Sequence, residues 1–413
     1  MSETSIDLDV LLGSARTEDD LALNVIRVLL RRWDDLVEVL TLIASRPAAH
    51  DELRRSIATL AGASWELERH RPRTVSEVAV FLPSNNVLYS YILFGVIPAA
   101  FTGQVVMRPS ARVADVTRAV HLILSTDPLL AGRLPIEFAE LSQRNFLVRC
   151  ATADAVVFTG RPENAEAVAR RLAPDTLLLA FGSGPNPVVA GPQADLPKLI
   201  ADVVRARTYN SGQDCLCPDV VFAHESVADD LVSGLDEAIT RLSVGARTDF
   251  GVDVAPLAYD DAVHEIGLFL DKHQDAVRTG GLVDEERGLV QPTLLELRWD
   301  PGFHPPEFFG PVFCVMRYRD VADLRRWAKD PVELRRGMYL SRYGEDALTE
   351  DVFGTAVVLR DEITLDIENG NAPLGGFGVE ASHVRNGRMT VARPLLLSAE
   401  LGVGGLADTA PAR

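Results

Sequence analysis

An α/β fold built on largely parallel sheets is what this sequence predicts, and three observations predict it. Short apolar runs rich in β-branched residues recur from Val78 onward, helical patterns lie between them, and a length of 413 residues is enough for two or three domains. The runs are nearly continuous instead of alternating with polar residues, which marks strands buried on both faces, as parallel sheets require.

The elements follow in chain order. From Glu18 to Ser45, Leu21, Val25, Leu29, Leu36, Leu40 and Ile43 recur at helical spacing, with Thr17 and Asp20 in a capping-box pattern at the start. A second helical stretch covers roughly Asp51 to Leu67, and His70-Arg71-Pro72-Arg73 reads as a connector. Strands are expected at Val78-Ala79-Val80-Phe81-Leu82, Gln104-Val105-Val106-Met107, Ala155-Val156-Val157-Phe158 and Thr176-Leu177-Leu178-Leu179-Ala180-Phe181, with a helix from Glu163 to Ala173 between the last two. The apolar run Leu88 to Phe101 is too short to span a bilayer and contains Pro98, so it reads as a buried helix. A second α/β block runs from about Ser183 to Arg385, with strands at Val220-Val221-Phe222 and Val312-Phe313-Cys314-Val315-Met316. The division expected is 1–182 for a nucleotide-binding domain, helical over 1–70 and α/β over 75–182. A catalytic domain of 183–385 follows, then a C-terminal segment of 386–413 that returns to the first domain and frays from Leu406.

Composition narrows the class of partner. A formal charge of −18 repels nucleic acid phosphates and anionic lipid headgroups, which leaves a small molecule as the expected partner, with no nucleic acid and no membrane. The four cysteines, Cys150, Cys215, Cys217 and Cys314, show no metal-ligand spacing with the eight histidines, so neither a disulfide framework nor a metal site is expected. Met1 to Val10 is acidic and lacks the pattern of a secretory signal, and the expected location is the reducing cytoplasm.

The chemistry concentrates in Tyr209-Asn210-Ser211-Gly212-Gln213-Asp214-Cys215-Leu216-Cys217-Pro218-Asp219. A glycine and a cysteine in a tight turn expose a thiol beside backbone N–H donors, an arrangement expected to lower the thiol pKa and to stabilise an oxyanion. Taken alone, a single loop cysteine is more often structural.

Asn210-Ser211-Gly212-Gln213-Asp214-Cys215 resembles the N-x-G-Q-x-C nucleophile motif of the aldehyde dehydrogenase superfamily, and four further blocks follow the family's order and spacing. Pro83-Ser84-Asn85-Asn86 resembles its P-W-N-F segment and Phe158-Thr159-Gly160 its F-T-G turn. Glu307-Phe308-Phe309-Gly310-Pro311-Val312 resembles E-I-F-G-P-V, and Asn371-Ala372-Pro373-Leu374-Gly375-Gly376 resembles the P-F-G-G segment. The resemblance covers roughly residues 75 to 400. It implies a Rossmann-like nucleotide-binding domain joined to an α/β catalytic domain, with a helical N-terminal segment. It also implies Cys215 as nucleophile, Asn85 as oxyanion partner, and Glu307 on the nicotinamide ribose. The dinucleotide would be held by Phe158, Thr159, Gly160, Arg161, Phe309, Arg108 and Arg112. Asn86 beside Asn85 is the competing candidate, and alignment on Pro83 favours Asn85. Cys217 reads as a packing residue or as a resolving thiol for Cys215.

The sequence departs from the family's pattern at informative places. Where hydrolytic members read E-L-G-G-K-N-P, this chain reads Ala180-Phe181-Gly182-Ser183-Gly184-Pro185-Asn186-Pro187, so Ala180 replaces the general-base glutamate that activates water. A thioester on Cys215 then exchanges with a thiol, and coenzyme A or a carrier-protein phosphopantetheine is the expected co-substrate. In Val105 to Arg112, Arg108 replaces the usual lysine and Ala111 replaces the glutamate of NAD-preferring members. With Arg112 adjacent, this favours NADP(H) over NAD(H). Arg161 stands where a small serine is common, and reads equally as a pyrophosphate contact or a surface residue at a helix start. Between His70 and Val78 little room remains for the family's oligomerisation hairpin. A dimer is the expected homo-oligomer, with Pro394-Leu395-Leu396-Leu397 available to pair across an interface. Three functions follow in order of preference: NAD(P)H-dependent reduction of an acyl thioester to an aldehyde or its reverse, ordinary oxidation of an aldehyde to an acid, and a non-catalytic scaffold.

Overall fold

The computed structural model describes residues 20–348 and 354–409. Two seven-stranded sheets organise the described residues. The first has the order β16-β15-β5-β4-β1-β2-β3, in which β1 (Val75–Phe81), β2 (Thr102–Arg108), β3 (Ile136–Phe138), β4 (Ala155–Thr159) and β5 (Leu177–Phe181) run parallel. The hairpin β15 (Ser382–Asn386) and β16 (Met389–Ala392) adds to its edge, β15 antiparallel to β5. The return to this sheet therefore begins at Ser382, four residues before the expected boundary.

Burial on both faces explains the strand composition. In β1, Val78 and Val80 enter the core beneath the N-terminal helices, while Ala79 and Phe81 enter a second cluster with Phe146 and Val168. Each of the valine and phenylalanine side chains contributes roughly 1.5–3 kcal/mol when fully buried, and alternation about the strand axis sends that stabilisation to both faces at once. Among the described residues the helices α1 (Leu21–Arg31), α2 (Trp33–Leu40) and α3 (Arg46–His70) cover the first face. Asp20 caps α1 by accepting from the Leu23 N–H at 3.2 Å. Thr17, the other half of the expected capping box, lies outside the described residues. The helix α3 is longer than the stretch expected for it, because Ser45 caps it ahead of Pro47 and the left-handed Arg71 ends it.

The run after β1 is not one helix. After α4 (Val87–Tyr91) comes a π turn over Ile92–Val96, in which the Ile97 N–H reaches the Ile92 carbonyl at 3.1 Å, and then a 3-10 turn at Pro98–Ala100. Pro98 lacks an N–H and its ring crowds the preceding turn, so the ladder widens before it. Beyond β2 lie α5 (Ala114–Ser125), α6 (Gln143–Arg149) and α7 (Pro162–Ala169). The helix α7 stops four residues short of the expected end, since Pro174 disfavours helical backbone just before it.

The second sheet has the order β14-β13-β6-β7-β12-β11-β8. It contains β6 (Val188–Ala190), β7 (Val221–His224), β8 (Val277–Thr279), β11 (Thr293–Leu297), β12 (Val312–Tyr318), β13 (Tyr339–Tyr343) and β14 (Val357–Arg360), all parallel to their neighbours except β8. A two-stranded ribbon pairs β9 (Val283–Asp284) with β10 (Leu289–Val290). One face packs on α8 (Leu196–Thr208) and α9 (Ala228–Thr240), the other on α10 (Asp260–Lys272) and α11 (Val321–Ala328). Leu406–Thr409 forms a 3-10 turn with Leu406 and Ala407 buried, so the tail does not fray from Leu406; residues 410–413 lie outside the described residues. The Leu395 N–H and carbonyl both bond to Leu374, at 2.8 and 2.9 Å, which commits that backbone within the chain. Among the described residues no helix is long and apolar enough to cross a membrane.

Candidate active site

The loop carrying Cys215 is built from left-handed backbone. After α8, Asn210, Ser211 and Gly212 have φ of 46°, 59° and 83°. The two residues with a Cβ each cost about 1–2 kcal/mol in that conformation. Their side chains offset the strain: Asn210 Oδ1 accepts from the Ser45 N–H at 3.0 Å and Ser211 Oγ from the Ala255 N–H at 2.9 Å. Gln213 Oε1 accepts from the Ala258 N–H at 2.7 Å while its Nε2 donates to the Asn210 carbonyl at 3.1 Å. A Cβ on Gly212 would lie 2.4 Å from the Gly310 carbonyl oxygen, so only glycine fits there. The motif residues ahead of the cysteine thus spend their side chains on shaping the loop.

The thiol is half-buried, and its pKa is pushed well above the ordinary cysteine value. Burial is the main cause, and the nearby Asp214, Glu307 and Cys217 add to it. The lowered pKa expected from backbone donors alone is therefore corrected: negative neighbours and desolvation decide the sign. Asn186 holds the loop from the other side, donating to the Cys215 carbonyl at 2.7 Å and the Cys217 carbonyl at 3.4 Å. Cys217 is 2% exposed, donates to the Ala206 carbonyl at 3.0 Å and has a pKa pushed up to about 12, which fits packing and not a resolving thiol.

The turn after β1 meets this loop through Asn86, whose Nδ2 donates to Asp214 Oδ2 at 2.7 Å. Asp214 also accepts from the Leu216 N–H at 2.8 Å, and burial still raises its pKa. Asn85, half-buried beside Asn86, shows no side-chain hydrogen bond among the described residues, so its amide is uncommitted. Glu52 on α3 supports the start of α4, which follows this turn, accepting from the Leu88 and Tyr89 N–H groups at 2.6 and 3.0 Å. Burial pushes its pKa to about 7.

Glu307 is half-buried with its pKa raised by burial, opposed by Ser183 and by Arg336, Arg161 and Arg207. Phe309 is half-buried two residues on. Their segment is fixed by Arg207, which the sequence reading missed. This arginine is 1% exposed and donates to the carbonyls of Gly310 at 2.9 Å and Pro218 at 3.0 Å, to Phe308 O, and to Asp219 Oδ1 at 2.9 Å. Asp219 also accepts from the Phe308 N–H at 2.8 Å. A sequence signal existed: Leu199, Val203, Ala206 and Arg207 share the buried face of α8, and an arginine on an apolar face demands a partner.

The remaining expected residues line the C-terminal edge of the first sheet, where open parallel sheets bind nucleotides at the point of strand-order reversal. Phe158 is buried against Phe81 with ring centroids 5.6 Å apart. Among the described residues Thr159 Oγ1 is buried without a hydrogen-bond partner, and Gly160 takes φ 147°. Arg112 and Arg161 converge on Asp261 of α10, whereas Arg108 does not join them and donates from Nε to the Leu141 carbonyl at 3.0 Å. An orphan hydroxyl and two cations on such an edge fit the phosphates and ribose of a dinucleotide. Among the described residues no group of His, Cys, Asp or Glu is placed to hold a metal ion. Ala180 is 3% exposed on β5, paired with Phe158 and His383 in the neighbouring strands.

Comparison with known proteins agrees with this architecture. A family model described as the aldehyde dehydrogenase family matches residues 28–332. The chain is 25% identical over 297 residues to a 4,4'-diaponeurosporen-aldehyde dehydrogenase of Staphylococcus aureus, covering 69% of this chain and 62% of that one. It is 29% identical over 179 residues to an NADP-dependent succinate-semialdehyde dehydrogenase of Escherichia coli, covering 42% and 37%. The matched stretch thus spans less than two thirds of either relative. Among solved structures, an NADP-dependent glyceraldehyde-3-phosphate dehydrogenase of Bacillus halodurans superposes with a TM-score of 0.79 at 20% identity, over 95% of this chain and 87% of that one, a likeness of fold. With the matched family model spanning most of the chain and both sheets superposing on that fold, this chain belongs to the aldehyde dehydrogenase family.

Proposed function

We propose that this chain is an NAD(P)H-dependent oxidoreductase that interconverts an acyl thioester and an aldehyde through a covalent thioester on Cys215. The observation that carries the reading is Ala180, a buried methyl group where hydrolytic members place the carboxylate that activates water. In this reading the first sheet belongs to the nucleotide-binding domain and the second to the catalytic domain.

The Cys215 thiol loses its proton and attacks the carbonyl carbon, while Asn85 Nδ2 and the Cys215 N–H stabilise the oxyanion. Collapse of the tetrahedral adduct breaks the C–S bond to coenzyme A or phosphopantetheine, whose departing thiolate takes up the proton that Cys215 gave up, and leaves the acyl group on Cys215. The nicotinamide, when bound, supplies the hydride that reduces this thioester. The resulting thiohemiacetal breaks its C–S bond, releasing the aldehyde and regenerating Cys215. Thr159, Gly160, Arg112 and Arg161 would hold the dinucleotide phosphates, with NADP(H) favoured because Arg112 follows Ala111; Phe158, Phe309 and Arg108 would complete the walls, and Glu307 would bind the nicotinamide ribose. The NADP-dependent relatives support that preference.

A second reading, oxidation of an aldehyde to an acid, is favoured by Glu307, whose half-buried carboxylate acts electrostatically on Cys215 and has its pKa raised by burial, the direction a general base needs. Supplying an aldehyde and NADP+ with and without free thiol separates the two. Acyl-thioester product that requires the thiol, with an acyl adduct on Cys215 by intact mass, is the expected result. Thiol-independent acid formation selects the second reading, and absence of any adduct across a panel of aldehydes and thioesters sinks both.

A further inference from the structure

Arg112 and Arg161 leave the first sheet on either side of β1, after β2 and β4, and both reach the first turns of α10 in the other half of the chain. Arg112 donates to both oxygens of Asp261, from Nη1 at 2.9 Å and from Nη2 at 2.5 Å. Arg161 Nη2 lies 3.8 Å from Asp261 Oδ2 and 3.4 Å from Glu265 Oε1. Two guanidiniums thus face two carboxylates, and the edge where dinucleotide phosphates would sit carries no net charge from these four groups.

The start of α10 does not depend on these ion pairs. Tyr259, the residue before α10, is buried and donates its hydroxyl to the Ser84 carbonyl in the turn after β1. The Gln213 side chain holds Ala258 at 2.7 Å. The carboxylates are therefore presented to the arginines from a fixed support, and removing one charge changes the electrostatics without undocking the helix.

We propose that Asp261 determines the cofactor preference of this chain by competing with a ribose 2′-phosphate for Arg112, and that Glu265 competes for Arg161 with the pyrophosphate common to both dinucleotides. The inference rests on the cofactor reading given above. A bidentate carboxylate satisfies two N–H groups of Arg112, and a phosphate must replace those bonds before it gains from the cation. Because the four side chains are between 37% and 65% exposed, the released carboxylate rehydrates at little cost, so the competition tunes affinity without blocking binding.

The test measures NADPH and NADH dissociation constants for the parent, Asp261→Asn and Glu265→Gln at low and high salt. Asp261→Asn is expected to tighten NADPH roughly 3- to 10-fold and NADH less than about 2-fold, and to steepen the salt dependence for NADPH, since exposed ion pairs couple weakly and are screened. Glu265→Gln is expected to tighten both nucleotides by a similar factor. An unchanged NADPH:NADH ratio in Asp261→Asn, or weaker NADPH binding, overturns the proposal while leaving the cofactor reading intact. Failure of all three proteins to bind either nucleotide overturns the cofactor reading, and the competition with it.

Discussion

Asn86 Nδ2 donates to Asp214 Oδ2 across 2.7 Å and so ties the turn after β1 to the residue that precedes Cys215. Two adjacent asparagines thereby have separable duties. Asn86→Ala strips a buried carboxylate of a donor and is expected to cost about 1.5–3 kcal/mol of stability in urea unfolding. Asn85→Ala is expected to leave stability within about 0.5 kcal/mol and to lower kcat by roughly 10²–10³-fold, the usual loss on removing an oxyanion donor. The reverse pattern would assign the oxyanion role to Asn86.

The raised pKa of Cys215 makes a kinetic prediction. With the thiol protonated at neutral pH, alkylation by iodoacetamide should rise about tenfold per pH unit through pH 9 without a plateau below it, because only the thiolate reacts. Asp214→Asn removes a negative neighbour and should speed alkylation at pH 8 by a factor of roughly 3–10. A plateau near pH 7 in the parent would show that another group offsets the burial.

Much of the fold was readable because β1, β2, β4, β5, β7 and β12 are continuous apolar runs, and a run buried on both faces has few alternatives. β6 and β15 were not. Val188–Ala190 is three residues long, and Ser382–Asn386 is largely polar; each is defined by the strand it pairs with, β13 and β7 for one and β5 for the other. The site divides in the same way. The order of the five blocks pointed to Cys215 and Asn85 because local backbone chemistry recurs in them. The thiol's raised pKa comes chiefly from burial in the folded chain, with Glu307, distant in sequence, adding to it, and the partners of Arg112 and Arg161 lie on α10; no local pattern announces such pairings.

Arg207 and Asp219 form a buried pair whose removal is expected to be asymmetric. Arg207→Met leaves Asp219 uncompensated along with the Gly310, Phe308 and Pro218 carbonyls, and should cost about 3–5 kcal/mol. Adding Asp219→Asn to that variant should recover part of the loss, since the buried charge is then gone. A double variant less stable than Arg207→Met by the full effect of Asp219→Asn alone would show that the two residues act independently.

Glu52 supplies a pH signature. Its carboxyl is raised from 4.5 to about 7 by burial, so between those values the folded state binds a proton that the unfolded state has released. Folding stability from this group is therefore greatest below pH 4.5 and declines as pH rises through 7, where the buried carboxylate ionises. Glu52→Gln keeps an oxygen to accept from the Leu88 and Tyr89 N–H groups and removes the charge. It should raise the melting temperature at pH 8 by about 2–4 °C and leave it nearly unchanged at pH 4.5. Equal shifts at the two pH values would mean that the gain comes from packing, and a lower melting temperature at pH 8 would mean that the ionised carboxylate stabilises α4 by more than its burial costs.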